Sequence, residues 1–398
     1  GTEGGLAEAA RASAESRRVD IKAGGGARPF AGAVREFAER VGAVVVLGPG
    51  STGVLPDAHP QNMHVGGSKG SISGNYVMEE AELLVVIGSR AVCQSDCSGI
   101  GWPNVRDVIN INADPMDVQH YNRTTALWGD AGQVLRRLHA RIVRDYPGCA
   151  EGKAGWLKVC TEKKAEWQTF KIAQFDAELP LDPVWGRRVL SQPQAIKIAS
   201  DFCKERDALK LFDAGDVQAN GFQIVEDDKP FATFTEAGAS YMGFAVSALL
   251  AGAIADQGRY AMAFTGDGSF MMNPQVLIDG VEHGVHGTIL LLDNRRMSAI
   301  SELQVAQYGE AFRTSDSVVV DYVQMAASIK GVKALYGGED GEALIAALSG
   351  AFEHPGMSLV HVPVYYGADA AGGMGAYGRW NVGSWCEEVE RDYEQTLI

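Results

Sequence analysis

Seven short runs of β-branched and other apolar residues recur along the 398-residue chain, each followed by a stretch of helical period. They cover residues 43–47, 83–87, 108–111, 209–212, 260–264, 288–292 and 359–362. Runs that short, without polar alternation, suit strands buried on both faces, and buried strands separated by helices form parallel sheets covered by helices. The chain is therefore read as α/β. Between the third and fourth runs lie residues 146–194, a mixture of charge, three tryptophans and several prolines with no strand-like run. With 46% hydrophobic residues, the chain has enough apolar mass for two cores of ordinary size, one on each side of that stretch. The expected organisation is two Rossmann-like parallel-sheet domains. Residues 1–21 form an amino-terminal extension, 22–145 the first domain, 146–194 a linker, and 195–398 the second domain.

Charge and composition remove several classes of function. A formal net charge of -15 opposes binding to a polyanion, and no Lys/Arg cluster is interleaved with aromatics, so nucleic acid is not an expected partner. No run of about eighteen apolar residues occurs, and the first thirty residues, rich in Ala, Glu and Arg, contain no signal-peptide apolar core. The expectation is a cytoplasmic protein with no membrane contact. Six cysteines are scattered, and the close pair Cys93 and Cys97 lacks a second pair at zinc-like spacing, so they read as reduced thiols. Gly24-Gly25-Gly26 ends the first thirty residues in what reads as a turn between strand and helix, because the G-x-G-x-x-G spacing of a dinucleotide site is not met.

The chemistry concentrates in residues 264–301. An apolar strand runs into Gly266-Asp267-Gly268-Ser269, a helical stretch comes next, and a second apolar strand ends at Asp293-Asn294. Two oxygen donors then sit at the carboxyl ends of neighbouring parallel strands, where open α/β sheets bind ligands. Asp267 offers a carboxylate, Asn294 an amide oxygen, and the backbone just after Asn294 a carbonyl, leaving positions for phosphate oxygens and water around a hard octahedral cation such as magnesium. Glycines let backbone N–H groups approach an anion closely, and the amino end of a helix favours negative charge.

The separation of twenty-seven residues between Asp267 and Asn294, with strands on both sides, resembles the signature of the thiamine-diphosphate enzymes of the acetohydroxyacid synthase and pyruvate oxidase superfamily. The resemblance runs from about Lys22 to the carboxyl end. Pro56-Asp57-Ala58-His59-Pro60, Gly88-Ser89-Arg90, Asn112-Ala113-Asp114-Pro115 and Gly129-Asp130 are similar to the superfamily's central domain; Asp213-Ala214-Gly215-Asp216 and the residues beyond it are similar to its diphosphate-binding domain. Carried over by position, the resemblance implies thiamine diphosphate and Mg2+ as cofactors. Asp267, Asn294 and the carbonyl of Arg296 are the implied metal ligands. Gly215, Asp216, Ser240, Gly266, Gly268 and Ser269 line the cofactor, and Met242 props it into its bent shape. Within the superfamily, Glu236-x-Gly238-x-Ser240-x-Met242-Gly243, Leu292-Asp293-Asn294 and Trp380-x-Val382-Gly383 resemble the trihydroxycyclohexanedione hydrolases.

In that superfamily a pyrimidine-binding domain precedes the central domain and supplies the glutamate that activates the cofactor ring. Nothing before Lys22 is long enough for it. The expectation is a partner polypeptide carrying the glutamate, in a hetero-oligomer; no catalytic residue is assigned on this chain, and Glu236, beside the Met242 segment, is not given that role. Arg295-Arg296 departs from the smaller residues common there. Its guanidinium groups read either as solvated surface or as a receptor for a substrate carboxylate or phosphate. His283 and His286 read as surface groups. Residues 367–385, rich in Gly, Tyr and Trp, are either a lid over the substrate or a tail packed on a neighbour. The implied function is the diphosphate-binding subunit of an acetolactate synthase-like enzyme acting on a small carbonyl substrate, by 2-oxo acid decarboxylation with acyl transfer or carboligation. Hydrolytic cleavage of a cyclic 1,2-dione and a non-catalytic cofactor-binding or regulatory subunit are the alternatives.

Overall fold

The structure, a computed structural model, describes residues 2–97, 99–236, 238–255, 258–367, 369, 371–375, 391–392 and 394–398, with the backbone alone at Cys93 and Ala306. It contains two compact units, one built on residues 2–170 with 226–231, the other on 171–225 with 232–375.

The first unit is a six-stranded sheet of β1 (Val19–Ala23), β2 (Val44–Leu47), β3 (Asn62–Val65), β4 (Leu83–Ile87), β5 (Asp107–Asn112) and β6 (Thr124–Trp128) in the order β3-β2-β1-β4-β5-β6. Every pair is parallel, the doubly wound arrangement expected from the alternating runs. β1 corrects the expectation that residues 1–21 are an extension. Glu3–Glu15 is a helix capped by Thr2, its Glu3 carboxylate bound by Arg137 and Arg141, and β1 lies in the middle of the sheet. The strand is hidden in the sequence because Asp20 and Lys22, both buried, interrupt its apolar character. Gly24 continues β1 as a close-packed turn: a Cβ there would lie 2.4 Å from the Gly88 carbonyl oxygen, so the glycine run serves backbone approach.

Residues 146–194, read from sequence as a linker, hold a 22-residue helix, Ala154–Phe175, and an antiparallel hairpin of β7 (Leu181–Asp182) and β8 (Arg187–Arg188). The helix buries Trp156 and Trp167, and Lys171 as well, while Lys158, Glu162 and Glu166 are exposed, so its composition looks like a linker and its packing does not.

The second unit is another all-parallel sheet: β9 (Leu209–Phe212), β10 (Thr233–Thr235), β11 (Ala261–Gly266), β12 (Gly287–Asp293), β13 (Lys333–Tyr336) and β14 (Met357–Pro363). Its order is β10-β9-β11-β12-β14-β13. The chain leaves β9 for β10 on one side and returns to β11 on the other. The crevice at the carboxyl ends of β9 and β11 is therefore the topological switch point of this sheet.

Asp20 is buried in the first unit. Its Oδ2 accepts the Trp102 indole N–H at 2.8 Å, and the Lys22 ammonium lies 4.7 Å from the centre of the Trp102 ring and donates to the Ser95 carbonyl. Burial pushes the Asp20 carboxyl up to about 7, outweighing the Trp102 hydrogen bond and the Lys22 charge, while burial lowers Lys22 despite Asp96, Cys97 and Asp20 nearby. Tyr121, also buried, faces Asp96 and Asp20. The sign comes from linkage: between the ordinary carboxylate range and about 7, the folded protein keeps a proton on Asp20 that the unfolded chain has lost, so this group reduces stability as pH rises through that window. Asp20→Asn keeps an acceptor for Trp102 and removes the titration. Its stability relative to wild type is expected to increase from about pH 4 to about pH 7 and then level off, at about 1.4 kcal/mol per tenfold change in acidity. Urea unfolding across that range tests it; a constant difference between the two proteins refutes the assignment.

Candidate functional site

Parallel packing puts the ends of β9, β11 and β12 side by side. Gly266 pairs with Leu292, so Asp267 and Asp293 leave the sheet at the same level. Gly266 caps the short turn Asp267–Phe270, in which Asp267 and Ser269 are buried. On the β9 side, Gly215 adopts φ 77°, ψ -147° and starts the helix Asp216–Ile224, whose first N–H groups point into the crevice. A non-glycine residue is strained there, and the position is also open: a Cβ on Gly215 would meet only the Ala299 methyl, at 3.8 Å. Gly266 is similarly open, with Val217 at 3.8 Å. Over Gly268 lie the Met242 Cε and Met297 Cγ, 3.6 and 3.8 Å from where its Cβ would be. Three glycines thus line a cradle with helix N–H groups on one side and methionine side chains over it.

The loop that carries Met242 is held chiefly by Asp213 and Gln218, to which the sequence assigns no role. Asp213, fully buried, accepts the Gly243 and Ala214 amides through Oδ1 (2.8 and 3.0 Å) and the Thr265 hydroxyl through Oδ2 (2.9 Å). One carboxylate therefore ties together the ends of β9 and β11 and the Met242 loop, and burial raises its pKa against those same hydrogen bonds. Gln218 does a similar job from the helix side: its amide donates to Thr235 Oγ1 (2.6 Å) and the Glu236 carbonyl (3.0 Å) and accepts from Ser240 Oγ (3.2 Å). Glu236 folds its carboxylate onto the amides of Gly238, Ala239 and Ser240 at 2.7–2.9 Å. Burial would raise its pKa, but these amides and that of Tyr241 lower it. Its carboxylate is occupied in shaping the loop. The sequence places Asp213 in the Asp213-Ala214-Gly215-Asp216 motif and offers no signal for its role as a clamp.

At the end of β12 the donors separate by role. Asp293 is fully engaged, accepting the Arg295 amide at Oδ1 (3.0 Å) and paired with His361 Nε2 at Oδ2 (2.9 Å). The Asn294 side chain accepts the Arg296 amide at 3.1 Å and donates to Ser298 Oγ at 2.5 Å, which fixes its oxygen toward the turn. Arg295 takes φ 54°, and among the described residues nothing donates to the Arg296 carbonyl. Asp267 is 3% exposed, and its carboxyl is pushed up to about 8, by burial first, then by the charges of Asp293 and Asp316. A buried carboxylate beside an oriented amide oxygen and an unused carbonyl is a donor set for a hard divalent cation. Among the described residues no three His, Cys, Asp or Glu side chains converge as a metal site, so a cation here depends on the amide and the carbonyl as well.

All ten residues expected at the cofactor and metal thus gather around one crevice. The side chains of Arg295 and Arg296 turn away from it. Arg296 donates to Ser301 Oγ (3.0 Å) and the Tyr366 carbonyl (3.3 Å), and Arg295 lies over the Trp185 ring at 5.9 Å. His283 and His286 are exposed, His286 against the Phe352 carbonyl. The motif Trp380-x-Val382-Gly383 and most of the expected lid or tail lie outside the described residues.

Comparison with known proteins agrees with this geometry. Residues 213–362 match the family model described as thiamine pyrophosphate enzyme, C-terminal TPP binding domain, and residues 6–138 match thiamine pyrophosphate enzyme, central domain. The large subunit of acetolactate synthase isozyme 1 from Escherichia coli is 25% identical over 372 residues, covering 91% of this chain and 61% of that protein. A 3D-(3,5/4)-trihydroxycyclohexane-1,2-dione hydrolase from Lacticaseibacillus casei is 26% identical over 367 residues, covering 86% of this chain and 56% of that protein. Sulfoacetaldehyde acetyltransferase from Alcaligenes xylosoxydans xylosoxydans is 24% identical over 293 residues, 70% of this chain and 48% of that protein. The chain spans about half to three fifths of the length of these relatives.

Removing the clamp has a measurable cost. Asp213→Ala leaves the buried Gly243 and Ala214 amides without their acceptor, and each such group costs about 1–3 kcal/mol. Urea unfolding is expected to show Asp213→Ala markedly destabilised and Asp213→Asn, which keeps one acceptor oxygen, in between. Wild-type stability in the alanine variant would mean that the clamp does not hold these loops.

Proposed function

We propose, because this chain belongs to the thiamine pyrophosphate enzymes, that it forms the diphosphate- and metal-binding half of an active site that breaks or makes a carbon-carbon bond next to a carbonyl. The observation that carries this reading is the open glycine cradle of Gly215, Gly266 and Gly268 beside the buried Asp267. Asp267, the Asn294 side-chain oxygen and the Arg296 carbonyl would hold Mg2+. The amides at Gly268 and Ser269 and the amino end of the helix Asp216–Ile224 would take the diphosphate, with Asp216 and Ser240 at the rim. Met242, over Gly268, would support the bent cofactor. When bound, thiamine diphosphate supplies a nucleophilic carbon and an electron sink, the chemistry that no side chain offers. This chain's own groups bind and orient it, and the methionines over the cradle keep water from one side.

The reaction we favour is decarboxylation of a 2-oxo acid with acyl transfer or carboligation, as the acetolactate synthases among the relatives suggest. Hydrolytic opening of a cyclic 1,2-dione is the second reading, supported by the dione hydrolases among them and by the Leu292-Asp293-Asn294 and Glu236–Gly243 matches. The ring-activating glutamate is proposed to come from a pyrimidine-binding domain on a partner subunit. In support, Tyr241, Met271 and Met272 beside the cradle are 65%, 44% and 58% exposed, an apolar rim suited to a protein neighbour. Among the described residues no helix is long and apolar enough to cross a membrane.

Calorimetric titration with thiamine diphosphate, with and without Mg2+, tests the proposal. Binding is expected to require Mg2+, to vanish in Asp267→Ala, and to tighten when a pyrimidine-domain subunit is added. Gly268→Ala is a second probe: its methyl group has room among Met242 and Met297, so the fold survives, but it occupies the cradle and is expected to weaken binding at least tenfold. A turnover assay with a panel of 2-oxo acids and cyclic diones then separates the two reactions. Absence of binding in every arrangement, including a longer form of this chain carrying its own pyrimidine domain, would refute the assignment and leave a non-catalytic subunit.

A further inference from the structure

The turn that follows β12 is shaped by two consecutive side chains that bond their own backbone two residues on. Asp293 Oδ1 accepts the Arg295 amide at 3.0 Å, and the Asn294 side-chain oxygen accepts the Arg296 amide at 3.1 Å. Asn294 is steadied locally, its side-chain amide donating to Ser298 Oγ at 2.5 Å. The Asp293 carboxylate is steadied from far along the chain: its Oδ2 lies 2.9 Å from Nε2 of His361, 68 residues later. A carboxylate only accepts, so the imidazole is the donor of this pair.

The sheet delivers His361 to that spot. β14 runs parallel to β12, with His361 level with Leu291 and Pro363 level with Asp293. Alternate side chains of a strand share a face, so the imidazole stands one step behind Asp293 on the same side of the sheet and reaches forward to it. Both residues are buried. The rings of Tyr322, Tyr336 and Trp185 surround the imidazole, with their centres 5.5, 6.1 and 6.3 Å from its own. Trp185 is itself pinned, its indole N–H donating to the Val364 carbonyl at 3.2 Å. A buried ring packed among three others has little room to turn, so its Nε2 donor keeps one position.

What this pair holds is the left-handed backbone of Arg295, φ 54°, a conformation that a residue with a side chain keeps only where its surroundings impose it. The Arg295 amide is bound by Asp293 and its carbonyl accepts the Asp316 amide at 2.9 Å, so the next carbonyl, that of Arg296, is the one that receives no hydrogen bond among the described residues. Resting on the metal site proposed above, we infer that His361 is a positioning residue of that site: its Nε2–H fixes the Asp293 carboxylate, which holds the Arg295 turn and so aims the Asn294 oxygen and the Arg296 carbonyl at the cation. Asp293, with both oxygens engaged, is the intermediary and not a ligand.

Mn2+ titration of the full chain in the presence of thiamine diphosphate, followed by the electron paramagnetic resonance signal of free Mn2+, reads the site without turnover. His361→Phe keeps a ring and removes the donor, and is expected to weaken Mn2+ binding about tenfold, the loss typical for removing a group that supports a metal ligand. His361→Gln keeps an N–H donor and is expected to recover most of the affinity, a rescue that a packing role alone would not give. In Asp293→Ala, adding His361→Phe is expected to cost nothing more, because the route through the carboxylate is already cut. His283→Gln, at an exposed position, is expected to bind as wild type. Hydrogen exchange of residues 294–297, measured by mass spectrometry with neither metal nor cofactor present, is expected to quicken in His361→Phe and to return toward wild type in His361→Gln. Melting curves show whether each variant is folded, and His361→Leu takes the place of the phenylalanine variant if that ring does not fit. Wild-type Mn2+ affinity in a folded variant without the donor, or unchanged exchange there, overturns the role of His361 while leaving the metal site standing. No Mn2+ uptake by the wild-type chain, alone or with a pyrimidine-domain subunit, overturns the metal site and this role with it.

Discussion

The second unit depends on one geometric constraint: all of its strands are parallel, so every strand end that carries a polar group opens on the same edge of the sheet. In an antiparallel sheet the ends of β11 and β12 would face opposite edges, and Asp267 and Asn294 could not share a ligand. Parallel strands require crossover helices, and the helix after β9 brings its amino end to that edge. The switch of direction between β10 and β11 leaves the crevice there uncovered. The chemistry of the site is thus a consequence of connection and direction before any side chain is considered.

Loops that the sheet brings near are held in register by a few buried polar groups. Asp213 and Gln218 form the inner frame: one carboxylate links β9, β11 and the Met242 loop, and one amide links the helix Asp216–Ile224 to residues 235–240. Both are nearly closed off from water, where hydrogen bonds are strong and an unmade one is expensive, so the loops have little freedom to drift. A cradle lined by glycines needs such a frame, since glycine contributes no packing of its own and orders at the largest backbone cost.

The same contrast explains which features are legible in the sequence. Strands with an uninterrupted apolar run, such as Leu83–Ile87 and residues 289–292 of β12, are visible because burial on both faces leaves that pattern, and Gly266-Asp267 and Asn294 are visible because donors at strand ends recur at a fixed separation. β1 is not, because Asp20 and Lys22 are accommodated through Trp102 and Ser95, contacts that come from residues 82 and 73 positions away. β10, with three residues, is too short for any period to show. The helix Ala154–Phe175 reads as a linker since its charged face outweighs two buried tryptophans in composition. Asp213 stands in a motif without an assigned role, because its role is to accept hydrogen bonds from residues 30 and 52 positions later. Local pattern reports local burial; it cannot report which distant donor a buried carboxylate will meet.

Arg295-Arg296 shows how far that limit reaches into function. From sequence, two adjacent guanidinium groups after Asn294 suggest either solvated surface or a receptor for an anionic substrate. In the structure Arg295 has a left-handed backbone, φ 54°, which turns successive carbonyls in different directions: that of Arg295 accepts from Asp316, while that of Arg296 is left for the site. Both side chains are half-buried, Arg295 over Trp185 of the β7–β8 hairpin and Arg296 against Tyr366, where they hold the wall of the turn. Arg296 is held by Ser301 and Tyr366, while the Arg295 Nε is buried without an acceptor among the described residues. Arg296 is therefore better understood as an outer brace of the turn that carries Asn294 than as a receptor for a substrate anion.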